Sequence, residues 1–154
     1  MKRYIEVKSM PFSPIPMLIL YDDAYGHCRR VLPGLEPLLS HRGFAVQSHR
    51  IQDGPIDIRP FKGLIIGSPV SGLGFKGAAP SEALFEYVQA LDGFERHKIA
   101  VFCVYPFRLG TSLDRMKGMV LEKGGEIVAA RAYPLFKLNP DDHVIAAECM
   151  VRIR

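Results

Sequence analysis

The sequence predicts a three-layer α/β sandwich around a five-stranded parallel sheet with strand order 2-1-3-4-5. Two observations lead to this prediction. Short strand-like runs alternate with helical segments, and the most apolar runs lack the polar alternation of a half-exposed strand. The length of 154 residues suits one domain. We therefore expect a single domain over residues 16–154, preceded by a Pro-rich arm over residues 1–15 that could add an edge strand at residues 4–7.

Five segments have the composition of strands. Continuous apolar runs at residues 17–21, 63–67 and 99–104 predict strands that are buried on both faces of the sheet. Weaker patterns at residues 44–49 and 126–132 complete the series.

Helical segments lie between these strands. Apolar residues at helical spacing, preceded by capping residues, predict helices over residues 81–91, 111–123 and 140–150. A further helix is expected within residues 26–42, where prolines indicate that it is broken or begins late.

Composition excludes several classes of function. The 20 Lys and Arg residues exceed the 16 Asp and Glu residues by four, but they are scattered and form no run typical of a nucleic-acid surface. Three widely spaced cysteines form neither a disulfide framework nor a metal knuckle, and no apolar run is long enough to span a membrane. We expect a cytoplasmic protein with no nucleic-acid or membrane partner and no metal.

Ligands of such folds bind beyond the carboxyl ends of the strands, so the loops over residues 22–28, 67–80 and 105–111 are the candidate site. The second of these loops begins with Gly67-Ser68-Pro69-Val70 directly after an apolar strand, and this junction resembles the flavodoxin-like family. The resemblance covers residues 17 to about 131. It implies an FMN cofactor or a related small anionic ligand, a redox partner protein, and electron transfer or reduction of a small acceptor. In that family the second loop lies against the flavin ring, which implies binding residues Ser68, Pro69, Val70, Ser71 and Gly72.

The family's first loop has the form S/T-x-T-G-x-T, and its hydroxyls and amides hold the FMN phosphate at a helix N-terminus. The corresponding positions here, which the resemblance implies as phosphate-binding, are Asp23, Ala24, Tyr25, Gly26, His27 and Cys28. The glycine is kept and the hydroxyls are lost. A carboxylate about 5 Å from a phosphate costs roughly 3 kcal/mol per unit charge at an effective dielectric near 20.

Two interpretations of this loop remain open. Asp23 points away and a neighbouring base (His27, Arg29 or Arg30) supplies positive charge, or the loop does not hold FMN in the usual way. In the second case Asp22 or Asp23 caps the first helix in place of a phosphate.

The third loop supplies aromatic and basic side chains. The family often places aromatics on the faces of the flavin, which implies that Tyr105 and Phe107 stack on the ring. Phe75 in the second loop is expected to be an apolar anchor or a partner contact. Arg108 either meets the flavin or is a solvated loop residue. The resemblance thus implies a ligand-binding loop formed by Tyr105, Pro106, Phe107, Arg108 and Gly110.

Three other functions compete with flavin binding. The missing hydroxyls favour a flavodoxin-like module without flavin that acts as a binding or structural partner. Asp22-Asp23 also resembles the acidic pair of receiver domains, but Gly67-Ser68 stands where the third acid is needed, which argues against phosphotransfer. Cys103 near the end of a strand invites comparison with the nucleophile of class I glutamine amidotransferases. It lacks the flanking glycines of a nucleophile elbow, however, and is expected in the core.

Overall fold

The structure is a computed structural model that describes residues 13–71, 78–139, 147 and 151–153. Strands in these residues are β1 (Ile15–Tyr21), β2 (Phe44–Arg50), β3 (Gly63–Ser71), β4 (Ala79–Pro80), β5 (Lys98–Tyr105) and β6 (Glu126–Pro134). Five of them pair in parallel in the order β2-β1-β3-β5-β6, and the two-residue β4 pairs antiparallel with the end of β3. Apart from β4, this confirms the predicted sheet.

The helices of the described part are α1 (Leu32–His41), α2 (Glu82–Gln89) and α3 (Ser112–Glu122). α1 begins later than Gly26 because two short 3-10 turns, at Ala24–Gly26 and Cys28–Arg30, precede it. Proline stands in its first turn, where no backbone N–H is needed. The late start agrees with the prolines of the sequence.

Two apolar cores lie on opposite faces of the sheet, as the three-layer prediction requires. On one face Met17 and Ile19 of β1 pack with Leu35 and Leu39 of α1. On the other, alternate residues of the same strands pack with α2 and α3; the wholly buried members of this second core include Leu18, Leu20, Leu64, Ile66, Leu84, Val88, Met116 and Val120.

The second predicted loop begins later than the sequence indicates. β3 continues through Gly67-Ser68-Pro69-Val70 to Ser71, so this motif is part of a strand. Its first residues stay paired with β5, and the returning β4 supplies a partner for Val70 and Ser71. The prediction that a loop starts at Gly67 is therefore wrong.

Some expectations lie outside the described residues. They are the edge strand at residues 4–7, the ring-contacting Gly72, the anchor Phe75 and all of the last helix over 140–150 except Ala147, which is buried. Among the helices that the structure describes, none has both the length and the apolarity needed to cross a bilayer.

Candidate functional site

The carboxyl ends of β1, β3 and β5 meet at one edge of the sheet, and β2 and β3 flank β1 on opposite sides. Tyr21 at the end of β1 lies beside both Arg50 of β2 and Gly67 of β3. The connection after β1 leads to β2 on one side of β1, and the connection after β2 leads to β3 on the other side. The two connections therefore diverge at this edge and leave a crevice, which is where ligands bind in such folds. We call this edge the carboxyl edge.

The first segment after β1 has an unusual backbone. Tyr25 has φ 64° and is the only described residue other than glycine with a positive φ; Gly26 follows with φ 70°. A left-handed conformation costs a residue with a Cβ about 1 kcal/mol. The Tyr25 side chain is 75% exposed, and its ring lies 5.5 Å from that of His27. The segment thus exposes the Tyr25 ring to solvent near the carboxyl edge.

Asp22 ties three segments together. Its carboxylate is buried, and its Oδ1 accepts hydrogen bonds from the Ala24 N–H at 2.8 Å and from Gln52 Nε2 at 2.6 Å. Its Oδ2 accepts a hydrogen bond from the Ser81 hydroxyl. A single carboxylate therefore joins the segment after β1, the connection after β2 and the start of α2.

Ser81 extends this network into β3. Its Oγ accepts from the Leu84 N–H at 3.1 Å and so caps α2, as its position in the sequence predicts. The Ser81 N–H donates to Ser68 Oγ at 2.8 Å, and the Ser68 hydroxyl donates to the Pro69 carbonyl oxygen at 2.8 Å. The buried Ser68 hydroxyl thus donates one hydrogen bond and accepts one within the protein.

Asp23 is held by two arginines. Arg29 contacts both carboxylate oxygens, Nε to Oδ1 at 3.0 Å and Nη2 to Oδ2 at 2.5 Å, and Arg50 Nη1 reaches Oδ2 at 3.1 Å. Arg50 also donates a hydrogen bond to Asp53, from Nη2 to Oδ1 at 2.7 Å. The hydrogen bond from Arg29, followed by that from Arg50, keeps the pKa of the Asp23 carboxyl below its usual value.

Neither Asp22 nor Asp23 caps the first helix, so that expectation is wrong. The residue before α1 is Val31, and no side chain caps the helix there. The two 3-10 turns carry the start of α1 away from the carboxylates, which bind other partners.

The depressed pKa of Asp23 predicts acid sensitivity. Above the unfolded value near 3.8 the ion pairs stabilise the fold, and this contribution disappears as pH falls through the lower folded pKa. Because both arginines are partly exposed, we expect Asp23→Asn to cost only about 1 kcal/mol at pH 7. Urea unfolding of both proteins should show the difference shrinking between pH 4 and pH 2. A difference that stays constant over that range would contradict the ion-pair origin.

Burial shifts the pKa values of the neighbouring His27 and of the two described cysteines, Cys28 and Cys103. Burial, followed by the charge of Arg30, lowers the pKa of His27, which disfavours the charged form of its imidazole. Its buried Nδ1 has no hydrogen-bond partner among the described residues. Burial raises the pKa of Cys28 well above its usual value and that of Cys103 to about 12. Both thiols remain protonated, and Cys103 lies in the core as expected.

The end of β5 and the segment after it present an aromatic surface. Tyr105 and Pro106 are half-buried, whereas Phe107 is 64% exposed and Arg108 is exposed. The Phe107 ring lies 5.9 Å from that of Phe136, itself 68% exposed. Sequence reasoning missed Phe136, although its place just after the last strand puts it at the same edge.

The segment after β5 also contacts the residue that leads into β4. Gly110 has φ 57°, and a Cβ added there would lie 3.3 Å from Ala78 Cβ. The structure thus brings the segment after β5 close to the residues just before β4. Ser71 is exposed at the end of β3, whereas Val70 is buried in the core.

No protein-family model matches this sequence, and no curated protein matches it significantly. Solved structures match the fold. Oxidised Flavodoxin 1 from Bacillus cereus gives a TM-score of 0.72 at 15% identity, covering 89% of this chain and 97% of that one. The two-electron reduced flavodoxin of Megasphaera elsdenii gives 0.68 at 16% identity, covering 85% and 97%. The fold is flavodoxin-like.

The flavodoxin-like fold also occurs within larger structures. The rubredoxin oxygen:oxidoreductase of Desulfovibrio gigas gives a TM-score of 0.70 at 13% identity, covering 92% of this chain but 36% of that one. At these identities the likeness establishes the fold, and the site must be judged on its own residues.

The residues at the carboxyl edge suit the two ends of FMN differently. The exposed Phe107, the half-buried Tyr105 and the exposed Ser71 leave aromatic and polar surface for a flat ring. The segment after β1 does not suit a phosphate, because it places the Asp23 carboxylate there, with Arg29 and Arg50 already paired to it, and the N–H groups of Asp23 and Ala24 donate to Gln52 and Asp22. In this flavodoxin-like chain the ring-contacting part fits and the phosphate-binding part does not.

Proposed function

We propose that this protein binds a flavin ring at the carboxyl edge and serves electron transfer or the reduction of a small acceptor. The observation that carries the proposal is the aromatic surface of Tyr105 and Phe107 at the topological switch point of a flavodoxin-like fold. A bound flavin supplies the redox chemistry, and the chain supplies position and electrostatics.

Each neighbouring side chain has a defined task in this proposal. Tyr105 is anchored on one side by the core next to α2 and α3, so its ring offers a fixed surface for stacking. Phe107 and its neighbour Phe136 shield the ring from water. Arg108 donates hydrogen bonds to electronegative atoms at the edge of the ring.

The proposed redox partner is acidic. Arg29, Arg30 and Arg108 are exposed around the carboxyl edge, and the chain carries a net charge of +4. A negatively charged partner surface would be steered towards this edge. We place this reaction in the cytoplasm, where cysteines without disulfide partners stay reduced.

One observation favours a second function, that of a flavin-free binding module. In the segment after β1 the N–H groups of Asp23 and Ala24 donate to protein acceptors, and the Asp23 carboxylate is paired with Arg29 and Arg50. Absorption spectra separate the two functions, because only a flavoprotein takes up flavin and shows its perturbed visible bands.

The Tyr105→Ala variant tests the stacking surface. We expect it to weaken riboflavin binding about tenfold, because loss of an aromatic contact worth about 1.4 kcal/mol changes Kd by that factor. Titration of riboflavin fluorescence measures the effect. Tyr87→Ala, which removes a half-buried tyrosine of α2, is the matched control and should leave affinity unchanged. Equal losses in the two variants, or no quenching by the parent protein, would contradict the proposed site.

A further inference from the structure

We infer that the flavin site does not use a terminal phosphate, so that its ligand class is the flavin ring with an uncharged side chain, such as riboflavin. This inference rests on the proposed function and concerns the segment from Asp22 to Val31. Three features of that segment carry it: where its amides donate, how its arginines are engaged, and where α1 begins.

The backbone donors nearest the end of β1 are engaged within the protein. The Asp22 N–H donates to the Gly67 carbonyl oxygen at 3.2 Å, and the Asp23 N–H to Gln52 Oε1 at 3.1 Å. The Ala24 N–H donates to Asp22 Oδ1 at 2.8 Å, and the Gly26 N–H to the Asp23 carbonyl oxygen at 2.9 Å. A phosphate needs such donors and would have to displace these acceptors.

Two arginines near Asp23, one in the segment and one at the end of β2, are also engaged. Arg29 applies two of its nitrogens to Asp23 in a bidentate pair. Arg50 directs Nη1 to Asp23 and both Nε and Nη2 to Asp53. A phosphate that recruited either guanidinium would leave the Asp23 carboxylate, whose side chain is only 4% exposed, next to a dianion. The two arginines nearest Asp23 are therefore already engaged, and the exposed Arg30 is the cation of the segment that does not contact a carboxylate in the described residues.

The first helix does not compensate. α1 starts at Leu32, and the turn before it uses its own amides: Arg30 N–H donates to the His27 carbonyl oxygen and Val31 N–H to that of Cys28. Val31, the residue before α1, is buried, and no side chain caps the helix there. The N–H groups of Arg30 and Val31 are therefore not available to a phosphate.

Parallel titrations with riboflavin and FMN, followed by fluorescence quenching at pH 7, test the inference. We expect the two dissociation constants to agree within about tenfold, since the N–H groups of Asp23 and Ala24 and the side chains of Arg29 and Arg50 are already engaged and Asp23 repels the phosphate. A preference for FMN above about a thousandfold would overturn the inference and leave the proposed function intact. Failure of both flavins to bind would overturn the proposed function, and the inference with it.

The variant Asp23→Thr makes the test sharper. It frees Arg29 and Arg50 from their shared carboxylate and restores a hydroxyl, so the ratio of riboflavin Kd to FMN Kd should rise at least tenfold. Asp57→Thr is the matched control, because it removes a carboxylate that is paired with Arg59 on the surface, and its ratio should not change. An unchanged ratio in Asp23→Thr, in a variant whose unfolding curve shows that it is folded, would overturn the inference.

Discussion

Replacing Gly67 by alanine should destabilise the protein by about 3 kcal/mol. A Cβ at this position in β3 would lie 2.2 to 2.6 Å from three ring atoms of Phe102. That ring is buried and packs edge-on against Tyr133, with centroids 5.9 Å apart, so it has little room to move. Interiors packed this tightly respond to an added methyl group by shifting backbone or by forcing strained rotamers.

Gly118→Ala is the control for this prediction. Gly118 lies within α3, and a Cβ added there meets nothing within 4 Å. Alanine should stabilise the helix by about 0.5 to 1 kcal/mol. Urea unfolding followed by circular dichroism measures both variants. A loss below about 1 kcal/mol for Gly67→Ala would show that the Phe102 ring moves aside at little cost.

The sequence predicts the sheet well because its strands are buried on both faces. Leu18, Leu64 and Ile99 lie in continuous apolar runs, and all three are wholly buried. Such runs need no polar alternation, so they stand out without any knowledge of packing. The strand order follows from the alternation with helices and the handedness of the crossovers.

The end of β3 could not be predicted in the same way. Gly67 and Pro69 normally indicate that a strand stops, because one residue is flexible and the other lacks an N–H. Here the returning Ala79–Pro80 pairs with Val70 and Ser71 and prolongs the strand. That partner becomes visible only after the chain has folded back.

The candidate site depends still more on distant residues. Asp22 and Asp23 could be recognised as unusual, but apart from Arg29 and the Ala24 N–H their partners could not be read from neighbouring positions. Arg50 is 27 residues from Asp23, and Ser81 is 59 residues from Asp22. Arg50 had one usable signal, since it directly follows the strand predicted over residues 44–49 to lie beside β1. Nothing in the sequence pattern links Ser81 to Asp22.

Asp22 is the residue whose loss from this network should cost most. In Asp22→Ala the Ala24 N–H, Gln52 Nε2 and the Ser81 hydroxyl all lose their acceptor. A buried donor left without a partner costs about 1 to 3 kcal/mol, and Gln52 can turn to water because it is exposed. We therefore expect a total loss of about 3 kcal/mol in the free energy of unfolding.

Asp22→Asn separates the hydrogen bonds from the burial of the side chain. An asparagine keeps one oxygen, which can still accept from the Ala24 N–H and from Gln52, so the loss should fall to about 1 kcal/mol. Asp114→Ala, on the exposed face of α3, removes a carboxylate 3.5 Å from Lys117 and should change stability by less than about 0.5 kcal/mol. Urea unfolding at pH 7 measures all three variants. Equal losses for Asp22→Ala and Asp22→Asn would mean that the negative charge of Asp22, and not its role as an acceptor, holds the three segments together at the carboxyl edge.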